Sequence, residues 1–280
     1  MKSGLQSFSL DGKAVLITGA AGLLGTQHAI ALAELGSMVF LSDIDNDKLE
    51  KTRDVVSQYS QVRPEIINMD ISSEGSIICA RDFLVKKITE KKHIFKCLVN
   101  NAAVDHKVAK GGMNRSLRLE DFDVLGWEKE VSVGLTGAIL CAKHFGPLLT
   151  KSREGIILNI ASDLSVISPD QRLYKRPNTP DIDQPVKSVS YPVIKTGLLG
   201  LTRYLSTYWP GTNLRCNALS PGGVFIDQDE EFVQRLSDLI PLGRMAQLDE
   251  YRAAIQFLCS DASSYMNGQN IVIDGGRSVL

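Results

Sequence analysis

The chain carries almost no net charge, no paired cysteines, no histidine cluster and no obvious apolar span, and each absence removes a class of function. Its 31 Lys and Arg offset 32 Asp and Glu, for a formal net charge of −1. That balance gives no bulk electrostatic case for nucleic acid or for an acidic membrane surface. No apolar run reads as a bilayer span, and the first residues lack the apolar core of a signal peptide. The expectation is a cytoplasmic protein with no membrane partner. The five cysteines (Cys79, Cys97, Cys141, Cys216, Cys259) are scattered and form no C-x-x-C, so they read as reduced core thiols. The four histidines (His28, His93, His106, His144) show no ligand spacing, and no metal is expected. Nor does any linker, repeat or low-complexity stretch divide the 280 residues, so residues 1–280 read as one domain.

What is present begins with Lys13–Thr18, a short apolar run bounded by glycines that reads as a buried parallel strand. Gly19-Ala-Ala-Gly22-Leu-Leu-Gly25 follows and opens an alanine-rich helix to about Gly36. Strand, glycine turn and helix in this order make a dinucleotide-binding element. The glycines allow a tight turn and close approach of a pyrophosphate, whose charge the helix N-terminus attracts. The plainer alternative is a tight turn in any doubly wound fold. The next strand, Met38–Ser42, ends in Asp43, 18 residues past Gly25 and in the region that bonds an adenosine ribose. A carboxylate there repels the 2′-phosphate of NADP, and no Arg or Lys adjoins it in sequence, which favours NAD. The competing role is a cap for the helix near Asn46, Asp47 and Lys48.

The pattern then repeats. Strands are expected at 65–69, 96–99, 156–160, 213–219 and 270–273, with helices at about 73–90, 120–150, 191–208, 229–240 and 249–260. The loop 104–119 is polar and reads as mobile. The fold class implied is α/β: a Rossmann-like, doubly wound parallel sheet of about seven strands with helices on both faces. Ligands of such sheets bind beyond the carboxyl ends of the strands, which is where Ser162 falls. From Asp163 to Val189 the chain is polar and proline-rich, and regular structure is not expected. At its far end Tyr191 and Lys195 stand four residues apart, on one face if helical. A lysine ammonium beside a phenol favours the phenolate, so the pair suits general acid/base work. Pro192 fits a helix start.

These residues together resemble the compact, single-domain branch of the short-chain dehydrogenases/reductases. The matching features are Thr18-Gly19 with Gly25, Asp70, Asn100-Asn101-Ala102-Ala103, Ser162, Tyr191-x-x-x-Lys195, Pro221-Gly222 and Ile273-Asp274-Gly275-Gly276. The resemblance implies a catalytic set of Ser162, which would hold the reacting oxygen, Tyr191, which would transfer the proton, and Lys195, which would hold the nicotinamide ribose. It implies a cofactor set of Gly19, Gly22, Leu24, Gly25, Asp43, Asp70 at the adenine amino group with Ile71 beside it, Asn100, Ala102, Tyr191, Lys195, Pro221, Gly222 and Val224. A homo-oligomer, tetramer or dimer, is also implied.

Three features depart from the family pattern. Leu23 stands at the usual middle glycine, and Gly22 lies one residue early. Gly134 replaces the asparagine that usually holds a relay water in the long central helix. Ser162 and Tyr191 are 29 residues apart because of the insert at 163–189. That insert is similar to one in a bacterial flagellin-modification and surface-sugar subgroup. Pinned at both ends beside Ser162 and Tyr191, it reads as a substrate lid whose Arg172, Tyr174 and Arg176 suit an anionic sugar; the alternative is a solvated loop. The leading expectation is an NAD-dependent oxidoreductase acting on a secondary alcohol or ketone of a sugar derivative. The alternatives are a 3-oxoacyl-thioester reductase and a catalytically weak NAD-binding regulatory subunit.

Overall fold

The computed structural model describes residues 4–104 and 117–280; most of the expected mobile loop, with His106, lies outside the described residues. Seven strands form one sheet: β1 (Lys13–Thr18), β2 (Met38–Asp43), β3 (Glu65–Asn68), β4 (Ile94–Asn100), β5 (Ile156–Ile160), β6 (Arg215–Pro221) and β7 (Asn270–Ile273). Their order is β3-β2-β1-β4-β5-β6-β7, and every pairing is parallel. The order reverses between β1 and β4, which creates a crevice at their carboxyl ends.

Both faces of the sheet are covered, which is why its strands read as continuous apolar runs. Alternate residues serve alternate faces. Val15, Ile17, Val39, Leu41, Val99 and Leu158 pack with α1 (Leu23–Ala33) and α8 (Arg252–Leu258). Ala14, Leu16, Met38, Phe40, Leu98 and Ile157 pack instead with α3 (Glu74–Lys91) and α5 (Gly137–Ser152). The remaining helices are α2 (Asn46–Ser57), α4 (Val124–Val131), α6 (Ser190–Tyr208) and α7 (Glu230–Ser237).

Several expectations need correction. The central helix starts at Val124, where the Asp123 side chain accepts from the Leu125 amide as a cap. It runs to Ser152 through a π turn, Ser132–Thr136, that carries Gly134. These 29 residues are, by length and composition, apolar enough to cross a bilayer, with mean hydropathy 1.2 over the best window. In this fold the buried side of α5 (Cys141, Ala142, Phe145, Leu149) packs on the sheet instead. β6 extends through Ser220 and Pro221 rather than stopping before them. Four cysteines are buried, but Cys79 is exposed. The insert is not devoid of regular structure, for it holds short 3-10 turns at Asp163–Ser165, Gln171–Tyr174 and Asp181–Asp183.

Candidate active site

The glycine turn follows β1 with Gly19 at φ +63°, where a Cβ would sit 2.6 Å from the Ala102 Cα. A side chain at Gly25 would collide with the Gly19 carbonyl oxygen. The backbone of the turn is therefore packed against the end of β4, and only glycine fits it. Gly22 is the N-cap of α1 and brings no capping side chain, so the first amides of that helix remain donors for a ligand. Leu23, at the usual glycine position, is exposed at 42 %, while Leu24 is half-buried. Asn101, which the sequence reading left without a role, braces the turn. Its Nδ2 donates to the carbonyls of Thr18 and Gly19, each at 3.0 Å. Thr18 Oγ1 accepts from the amides of Asn101 and Ala102 at 3.1 Å.

Asp43 closes this side of the crevice. Its Oδ2 accepts from the Ala21 amide at 3.2 Å, and its Oδ1 from the Asp45 amide at 3.2 Å. The cap of α2 is Asp45, whose carboxylate accepts from the Lys48 amide at 3.0 Å. Asp43 is thus released from the competing capping role. Lys48 lies close enough to feel the charge of Asp43, but its ammonium is paired with Asp45 at 2.8 Å. Asp70 is exposed and accepts from the Ser72 amide at 2.8 Å, while the buried Ile71 packs over Gly137. Asn100 is buried; its Nδ2 donates to Asn159 Oδ1 at 2.9 Å, and Asn159 donates in turn to Thr202. The Oδ1 of Asn100 has no hydrogen-bond partner among the described residues.

Across the crevice, β5 and α6 hold the other group. Lys195 is only 4 % exposed, and its Nζ donates to the Ile160 carbonyl at 2.8 Å. A buried ammonium is costly unless such acceptors hold it. One turn earlier in α6 the Tyr191 ring lies with its centroid 5.6 Å from that Nζ. Ser162 follows β5 in an extended conformation and caps the next turn: its Oγ accepts from the Leu164 amide at 3.2 Å. The same hydroxyl donates to Asp163 Oδ1 at 2.9 Å. Asp163 Oδ2 accepts from Arg277 Nη1 at 2.7 Å, and both side chains are nearly fully buried. Asp163 follows Ser162 directly in sequence, but nothing in the pattern points to Arg277, more than a hundred residues away.

Pro221 and Gly222 end β6 beside β7. The Gly222 amide donates to the Ile273 carbonyl at 2.8 Å, and a Cβ there would sit 2.8 Å from the Asp274 Cα. The Tyr251 hydroxyl donates to the Gly222 carbonyl at 3.1 Å. Burial, with the negative charge of Asp163 and Glu250, pushes that phenol well above the usual range and keeps it a donor. Val224 bridges to Ala246.

Gly134 and the insert show what replaces the departures. A Cβ on Gly134 would lie 2.7 Å from Ile194 Cγ2, so the Ile194 side chain occupies the space that a side chain at 134 would need. In the insert, Leu173 is buried with Leu236, Ile240 and Met245, and the Tyr174 ring packs on Phe232 at 5.7 Å. The insert is accordingly docked on α7 rather than solvated. Arg172 is 81 % exposed and paired with Asp170 at 2.7 Å, which holds that carboxyl at about 2. The Arg176 amide donates to Gln184 Oε1 at 2.7 Å. Arg172 is thus paired within the insert, and Tyr174 packs against α7. The insert does place Lys187 on the candidate site, with its Nζ 3.9 Å from the Tyr191 ring centroid.

A family model described as short chain dehydrogenase matches residues 13–174, and one described as Enoyl-(Acyl carrier protein) reductase matches residues 184–278. The chain belongs to the short-chain dehydrogenases/reductases. Among its relatives in that family, the 3-oxoacyl-(acyl-carrier-protein) reductase of Thermotoga maritima is 28% identical, over 95% of this chain and 98% of that protein. The NAD-dependent glycerol dehydrogenase of Listeria innocua is 27% identical, over 98% of this chain and 97% of that protein. The Pseudomonas aeruginosa RhlG/NADP active-site complex superposes with a TM-score of 0.81 at 26% identity, covering 97% of this chain and 98% of that chain.

Proposed function

We propose that this dehydrogenase/reductase uses NAD to interconvert a secondary alcohol and its ketone on a sugar or polyol derivative. The observation that carries the reading is the buried Lys195, bonded to the end of β5 and set beside the Tyr191 ring near Ser162. The crevice fits the cofactor of the family. Gly19 and Gly25 let the turn pack tightly where a Cβ would collide with backbone, Gly22 brings no capping side chain to α1, and the buried Asn100 Oδ1 has no partner among the described residues. Gly19, Gly22, Leu24 and Gly25 would hold the pyrophosphate, with Asp43 at the adenosine ribose. Asp70, Ile71, Asn100 and Ala102 would flank the adenine and the central strand; Pro221, Gly222 and Val224 would line the nicotinamide. When bound, the nicotinamide supplies or accepts the hydride.

The protein's part is proton transfer and orientation. In the oxidative direction Tyr191 takes the proton from the substrate hydroxyl, and in reduction it returns it to the carbonyl oxygen. Lys195 favours the charged tyrosine and anchors the nicotinamide ribose. Ser162 holds the substrate oxygen. A carboxylate at Asp43 repels a 2′-phosphate, which supports NAD. The polyol class draws on the glycerol dehydrogenase relative. Residues 1–280 work as one domain built on the continuous sheet, with 163–189 as its insert. The protein assembles as a homo-oligomer. Gly134, Gly137 and Gly197 are each closed off by neighbours within the subunit, which leaves Gly200 as the open small residue on α6.

The deciding experiment is NADH absorbance with a panel of polyols, sugars, sugar phosphates and acyl thioesters, run on the wild type and on Tyr191→Phe. Turnover on a polyol or sugar that Tyr191→Phe abolishes, with NADH binding retained, is the expected result. Turnover confined to acyl thioesters favours the reductase reading. The Ile194 side chain beside Gly134 favours a second reading, a catalytically weak NAD-binding subunit; NADH binding with no turnover on any compound would establish it.

A further inference from the structure

We propose that Lys187, delivered by the insert, is a second cationic partner of Tyr191 and a positioning residue for its proton transfer; the inference rests on Tyr191 as the proton carrier. The ammonium stands 3.9 Å from the ring centroid, well inside the range over which a cation is attracted to an aromatic face. Lys195 approaches the same ring from the helix, at 5.6 Å. Two ammonium groups therefore lie within 6 Å of the ring centroid, one carried by α6 and one by the insert. Placing a flexible lysine costs rotamer entropy, and here its backbone is fixed. The Lys187 amide donates to Gln171 Oε1 at 2.9 Å, and Gln171 Nε2 donates to the Lys187 carbonyl at 3.2 Å. Gln171 lies in the turn that also carries Leu173, which is buried against α7. The docking of the insert thus sets the position of the Lys187 backbone. A lysine serving only solubility has no need of a clamp on both polar groups of its backbone.

Among the described residues, the other charged groups on elements packed against α6 lie elsewhere or are paired. The turn after Ser162 carries Asp163, which is neutralised by Arg277. The π turn and β5, which pack on α6, hold no titratable side chain. α4 contributes Glu128, Lys129 and the buried Glu130. β6 offers Arg215 and Cys216 at the end of the sheet remote from Ser162, and on α6 itself Arg203, Tyr204 and Tyr208 follow Tyr191 by three turns or more. Among the described residues, Lys187 and Lys195 are the cations whose ammonium groups lie within 6 Å of the ring centroid. An ammonium stabilises the charge of a phenolate more than it stabilises a neutral phenol. Lys187 therefore extends the charged form of Tyr191 to lower pH.

The test reads Tyr191 directly, without turnover. Tyrosinate absorbance is followed through an alkaline titration, and the curve of the matching Tyr191→Phe protein is subtracted in each background. Lys187→Met keeps the Gln171 clamp, which is made by backbone, and moves the Tyr191 midpoint upward by about one pH unit. Lys187→Arg leaves the midpoint near that of the wild type. Gln171→Ala frees the backbone of Lys187 and gives a smaller shift in the same direction. Lys175→Met removes an equal charge elsewhere in the insert and leaves the midpoint in place. With a substrate in hand, the pH profile of kcat for oxidation moves with the midpoint. An unchanged midpoint in Lys187→Met overturns the proposal, as does an equal shift in Lys175→Met. Failure of the wild type to turn over any NAD(H)-linked substrate counts against the functional reading alone, since the titration needs no substrate.

Discussion

His28 makes the fold acid-sensitive by an amount that can be worked out. It lies in α1, three residues past Gly25, fully buried, and neither ring nitrogen finds a partner among the described residues. Burial, with the positive charge of Lys195, lowers its pKa from 6.5 to about 3. The unfolded chain therefore binds a proton below pH 6.5 that the folded chain refuses until about pH 3. Stability must rise with pH wherever the unfolded state binds more protons. The contribution is complete above the unfolded value and is lost progressively as the pH falls towards the folded one. At about 1.4 kcal/mol per pH unit, His28 alone costs about 2 kcal/mol at pH 5 relative to pH 8. That is a large fraction of the margin of an ordinary domain.

The assay is urea denaturation of the wild type and His28→Leu at pH 8 and pH 5, at matched protein concentration. Leucine has nearly the size of histidine and buries no polar atom, so the variant is at least as stable at pH 8. Titration of all other groups is common to both proteins and cancels in the difference. The variant should lose about 2 kcal/mol less than the wild type on going to pH 5. Equal losses in the two proteins would refute the reasoning, because they would place the imidazole where it can be protonated in the fold.

Three further outcomes are expected. Asp43→Ala narrows the preference for NADH over NADPH, and adding Ile44→Arg narrows it further, measured as the ratio of kcat/KM values; a wild type that favours NADPH contradicts the assignment of Asp43. Arg277→Met leaves the Asp163 carboxylate buried without its cation and lowers stability by about 3–5 kcal/mol, read from chemical denaturation; a loss within experimental error shows that the pair does not bear on the fold. Gly134→Asn collides with Ile194 and costs about 1–3 kcal/mol, and Ile194→Ala in the same protein recovers much of it; a single variant as stable as the wild type means that the helix can open there without strain.

The sheet was legible because its strands, buried on both faces, stand out as apolar runs, each followed by the small or acidic residues that end it. The helix caps were legible only in part. Asp43 and Asp45 are both acids ahead of α2, and only the bond from the Lys48 amide distinguishes the cap from the residue facing the glycine turn. Tyr191 and Lys195 could be paired because helical periodicity relates them. Asp163 and Arg277 could not, since their contact depends on how the chain returns after β7. The π turn escaped notice because four glycines in the central stretch weaken any helical reading, and the one at 134 owes its tolerance to a neighbour on another helix.

The insert carries this lesson further. Read as composition, its basic residues looked like one anion-binding group. Packing sorts them by partner instead. Arg172 is neutralised by Asp170, two residues away, in an ion pair too exposed to contribute much. Leu173 and Tyr174 attach the loop to α7. Gln184 closes it on itself, donating to the carbonyls of Arg176 and Thr179. Once those contacts are made, little backbone freedom is left between Gln171 and Ser190. Of the four cations in that span, Lys187 stands over the tyrosine ring. The apolar residues fix the loop, and the fixed loop sets Lys187 against the tyrosine ring.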